Sequence, residues 1–92
     1  MGGTYLEGEK ALERLGDLAE LICRIAEGSG LENEDEELLE GLLLEMGAAL
    51  RERDLPGAKK IVARMLSEVL GYDEVRAGFV MRNHLNKNAG WG

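Results

Sequence analysis

Ninety-two residues, 45% of them hydrophobic, carry a formal net charge of −7; a chain this short buries about 60–65% of its unfolded surface, enough for one modest core. One cysteine excludes an internal disulfide, one histidine leaves too few ligands for a structural zinc site, and no stretch approaches the ~18 continuous apolar residues of a membrane span. Net acidity opposes non-specific attraction to nucleic acid or anionic membrane.

Sixteen leucines stand against one Phe, one Trp and two Tyr, and Ile, Val and Thr together number eight. That balance favours helices over strands. The expected fold is all-α: a compact antiparallel bundle of four helices, at about 5–27, 34–53, 56–70 and 74–86, the fourth short. Residues 1–87 form one helical domain in this reading, and 88–92 a flexible tail around Trp91.

In helix 1, Ala11, Leu15, Leu18, Ile22 and Ile25 recur at spacings of 4, 3, 4 and 3. Leu12, Ala19 and Ala26 widen the stripe, giving a broad core-facing side. Gly28-Ser29-Gly30 ends the helix. In helix 2, Asn33 and Glu36 have the spacing of a capping box. Acids at 34–37 open the helix, and Arg51 and Arg53 close it, both in accord with the helix dipole. Leu38, Leu39, Leu42, Leu43, Met46, Ala49 and Leu50 form its apolar arc.

Helix 3 follows after a link so short that helices 2 and 3 form an antiparallel hairpin. Asp54 serves as its N-cap and Pro56 sits in its first turn. Ala58, Val62, Met65 and Val69 line its inner side, flanked by Ile61, Leu66 and Leu70. Asp73 caps helix 4, whose apolar side is formed by Val75, Gly78, Phe79, Met81 and Leu85, with Arg82 inside it. The expected single core contains Leu15, Ile22, Leu42, Leu43, Met65 and Val69, and leaves Trp91 out.

Charge divides along the chain. Residues 1–50 hold three Lys/Arg against thirteen acids; residues 51–92 hold eight against five. Two surfaces with different partners, or halves that attract each other, follow from such a split.

Catalytic side chains are sparse. Cys23 reads as a thiol at the edge of the helix 1 stripe and His84 as a solvated histidine near the chain end, which leaves no nucleophile–base pair. The run Glu32-Asn33-Glu34-Asp35-Glu36-Glu37 lacks the glycine and terminal glutamate of an EF-hand loop. The expectation is a non-enzyme with no cofactor and no metal. No apolar leader marks residues 1–10, so a cytoplasmic setting is expected.

One feature exceeds a plain bundle. Leu44 lies opposite the apolar arc of helix 2, with the small residues Gly41 and Ala48 beside it. Mid-helix glycine costs about 1 kcal/mol against alanine, and small residues beside a leucine let a second helix approach. Glu37, Gly41, Leu44, Ala48 and Arg51, with Glu40, make the expected protein-interaction surface, for another protein or for the chain itself as a homodimer. The second reading is a nucleic-acid contact through Lys60, Arg64, Arg76, Arg82 and Lys87. Asp73 and Glu74 weigh against it, because they stand where a recognition helix would meet phosphate.

Overall fold

The computed structural model describes residues 8–86. It is all-α, with α1 at Gly8–Gly28, α2 at Asn33–Glu52, α3 at Leu55–Arg64, a π-helical turn at Met65–Val69 that continues α3, and α4 at Glu74–Leu85. Four helices are present as the sequence predicts. Residues 5–7 of helix 1, Lys87 and the tail with Trp91 lie outside the described residues. Among the described residues no helix is long and apolar enough to cross a membrane.

The side-chain caps form at two of the three expected places. Asp54 accepts from the Gly57 N–H at 3.1 Å. A Cβ at Gly57 would run into that carboxylate, so glycine is what lets the cap close. Asp73 accepts from the Arg76 N–H at 2.7 Å. Truncating Asp73 to alanine is expected to cost about 1 kcal/mol, read as a shift in urea midpoint; no shift would mean water replaces the cap. The box at Asn33 and Glu36 does not form. Helix α2 starts one residue earlier, with Glu32 at its N-cap and no side-chain hydrogen bond there. The Glu36 N–H instead donates to the Glu32 carbonyl at 2.9 Å. That end is exposed, so water serves its free N–H groups.

Leu15, Ile22, Leu42, Val62, Met65 and Leu66 are the largest fully enclosed side chains. They come from α1, α2, α3 and the π turn, so those elements share one core, which Ala77 and Leu85 of α4 join. Three expected stripes shift. On α1 the buried row continues to Ala26, and Ile25 is 45% exposed, because the core lies between the two apolar rows and not under the first. On α2, Leu43 is 37% exposed. On α4 the inner side is Ala77, His84 and Leu85, while Val75 and Phe79 are 80% and 62% exposed. At 100° per residue Phe79 lies about opposite the midpoint of Ala77 and Leu85. The small Ala77 at the contact lets α4 lie close to its neighbours.

Helix 3 is not one continuous α-helix. The Leu70 N–H donates to the Met65 carbonyl at 3.3 Å, and the Tyr72 N–H reaches back to Leu66 at 3.0 Å. The wider turn places the adjacent Met65 and Leu66 both inside, and leaves Val69 half-buried. Gly71, at φ +74, then turns the chain into α4 in a conformation open to residues without a Cβ.

Candidate functional site

Helices α1 and α2 run antiparallel: the start of α1 meets the end of α2 through Glu9 and Arg53, 3.0 Å apart. Between them lies an open groove of about 680 Å³. Its floor is apolar, from Leu12 and Ala19 on α1 and Leu43, Met46 and Leu50 on α2. One wall is a row of carboxylates on α1, namely Glu9, Glu13, Asp17 and Glu20. Their spacing of 4, 4 and 3 keeps them on one side of the helix. Among the described residues, Arg53 is the one cation of the lining.

Two glycines shape the groove. Gly16 on α1 and Gly47 on α2 both line it. A Cβ at Gly16 would sit 3.5 Å from Leu50 Cδ1, and one at Gly47 would meet nothing within 4 Å. Without side chains there, the gap between the helices stays open. Sequence reasoning missed this site: Gly16, Gly47 and the acidic row lie on two helices, and only their packing brings them together.

Arg53 is the one described residue other than glycine with positive φ, at 54°. Its N–H, with that of Asp54, satisfies the last carbonyls of α2. Glycine would make the same backbone bonds without the ~1–2 kcal/mol that a left-handed conformation costs other residues. The exposed ion pair with Glu9 returns at most about 1 kcal/mol. What arginine adds at this position is a cation across one end of the groove.

The expected interaction residues fall on the outer side of α2. Leu44 is 76% exposed. Gly41, Glu37, Glu40 and Arg51 are exposed and Ala48 is half-buried. Leu44 stands three residues before Gly47 and four before Ala48, so this strip adjoins the groove across Gly47.

The basic residues are dispersed among acids. Arg64 donates to Glu68 at 2.8 Å and lies 3.8 Å from Glu45, and the hydrogen bond to Glu68 strengthens its hold on its proton. Arg76 stacks over the Tyr72 ring at 4.9 Å. Lys60 and Arg82 are exposed, and Lys87 lies outside the described residues.

His84 is 5% exposed, contrary to the solvated position expected from the sequence. Turning α4 so that Ala77 and Leu85 face the core carries His84 inward with them. The Arg14 guanidinium donates to the His84 carbonyl at 3.4 Å, which ties α4 to α1. Burial lowers the imidazole pKa from its ordinary 6.5. The Arg14 charge acts in the same direction, while a hydrogen bond at the Arg14 backbone and the Asp17 carboxylate oppose it. Between the lowered value and 6.5 the unfolded chain binds a proton that the folded chain does not. Stability is therefore full above 6.5 and falls as the pH drops below it. The urea midpoint at pH 5.5 is expected below that at 7.5, with His84→Phe flattening the difference. Equal wild-type midpoints would contradict this assignment. Cys23 is half-buried, and burial, then Glu27 and Glu20, push its thiol pKa up, away from a reactive thiolate. The groups acting on Cys23 differ from those acting on His84.

The fold and the groove define an all-α four-helix protein with an acid-walled apolar cleft between its first two helices. No family model matches the sequence, and no curated protein and no solved structure matches it either.

Proposed function

We propose that this is a non-enzymatic protein-interaction module, and that its partner docks in the groove between α1 and α2 and over the adjoining outer side of α2. The groove carries this reading: an apolar floor supplies burial, and four carboxylates on one wall favour a basic partner and repel acidic ones. The groove runs about 18 Å along residues 9–20, and its volume of about 680 Å³ leaves it a small floor. That falls well short of the ~800 Å² per partner in a stable complex. Contact therefore extends across Gly47 to Leu44, Gly41 and Ala48, with Glu37 and Arg51 at the rim. A homodimer belongs to this reading, as does a cytoplasmic setting, which a single free thiol suits.

Nucleic acid is the weaker partner. Two carboxylates already attend Arg64, and Glu74 begins α4. Anisotropy titration with random duplex DNA at physiological salt is expected to give no sub-micromolar binding. Tight binding with a steep salt slope would reverse the order of the two readings.

A photo-crosslinking residue at position 43, in the cell that makes the protein, tests the groove. It is expected to capture a polypeptide, with Asp17→Lys reducing the yield, while the same residue at position 60 captures little. Absence of product at 43, or equal product at both positions, would overturn the reading.

A further inference from the structure

We propose that the groove is filled by the outer side of α4 from a second copy of this chain, in a head-to-tail contact. This rests on the groove being a docking site. The outer side of α4 is its natural complement. Val75 and Phe79, one turn apart, are the most exposed large apolar residues of α4. Arg76 and Arg82 flank them, one on each side at 100° per residue. Arg76 is held by its stacking on Tyr72, so its charge is in place before contact. The groove offers four carboxylates against one arginine.

Lengths agree as well. Helix α4 has 12 residues, and the acidic wall runs over residues 9–20, so both are about 18 Å long at 1.5 Å per residue. Charge sets a direction. With Glu74 beside Arg53, at the Glu9 end, Arg82 falls eight residues further on, opposite Asp17. Reversing α4 places Glu74 among the carboxylates and Arg82 near Arg53.

The same chain cannot fill its own groove with this surface. Helix α4 is tied to α1 through Arg14 and the His84 carbonyl, with Val75 and Phe79 turned to solvent. The acidic row lies about 100° around α1 from Arg14, on the side of α2. Groove and α4 surface therefore face different ways, and each needs another molecule.

Sedimentation of the full chain over a wide concentration range tests this, with two variants. Phe79→Asp disables the α4 surface, and Glu13→Lys/Asp17→Lys disables the groove. All three positions are exposed, and circular dichroism checks that the helices persist. Wild type is expected to associate increasingly with concentration. Each variant is expected to associate at least tenfold more weakly. An equimolar mixture of the two is expected to form a 1:1 dimer and stop there, because one variant keeps an intact surface and the other an intact groove. Should either variant unfold, Arg82→Glu paired with Asp17→Lys in the other molecule repeats the exchange by charge alone. Wild type monomeric at high micromolar concentration, or a mixture that stays monomeric, would overturn the second copy as occupant. So would a symmetric dimer indifferent to Phe79→Asp. Crosslinking from position 43 to a different polypeptide would then leave the groove standing and only this occupant rejected.

Discussion

Leu42→Ala is expected to remove 2–5 kcal/mol of folding stability, while Leu43→Ala, one residue along, removes about 1 kcal/mol. The two differ only in where α2 points them. Leu42 is fully enclosed in the shared core, so truncation loses its transfer free energy and leaves a cavity. Leu43 lies at the groove and keeps 37% of its surface in water; truncating it widens an opening that already exists and leaves no closed void. Against a total of roughly 5–15 kcal/mol for a domain, the first change is severe and the second mild. Urea melts of the two variants check the contrast. Equal losses would mean the groove closes in solution.

Val62→Asp is expected to abolish cooperative unfolding at neutral pH. Val62 is fully buried on α3, which packs against α1, α2 and α4. The substitution loses about 1.5–3 kcal/mol of apolar burial and adds the penalty of several kcal/mol for an unpaired buried charge. Together these reach the lower part of the stability range of a domain, where a chain this small falls. Val75→Asp, at a position 80% exposed, is expected to leave the melt of dilute, unassociated protein almost unchanged. A cooperative melt in the Val62 variant would show that α3 can shift to hydrate the carboxylate.

These two valines also mark how far the sequence could be read. Helices α1, α2 and α3 each carry a dominant apolar arc, so their positions and most of their buried residues follow from periodicity. Helix α4 carries two competing sets, Val75 with Phe79 and Met81 with Leu85, and its hydrophobic pattern does not choose between them. Packing chooses, through the small Ala77, and that choice buries His84 and exposes Phe79. The groove was hidden for a related reason. Glu9, Glu13, Asp17 and Glu20 form a polar side such as any amphipathic helix carries, and Gly16 and Gly47 are far apart in sequence. Only the spacing of α1 from α2 brings them to one place, and no single-helix projection contains that spacing. Leu44 was legible because it opposes its own arc, which is a property of one helix alone.

The π turn at Met65–Val69 has a consequence for how the chain tolerates changes in its length. A π turn holds one residue more than an α-helical turn in its place. Removing Ser67, which is exposed, is expected to let that turn relax into α-helix, with the segments on either side keeping their register. The same one-residue deletion in the middle of α1 would rotate everything beyond it by 100° and carry Ile22 out of the core. The third helix thus contains a spare residue, and a one-residue deletion that would scramble the fold elsewhere can be absorbed there.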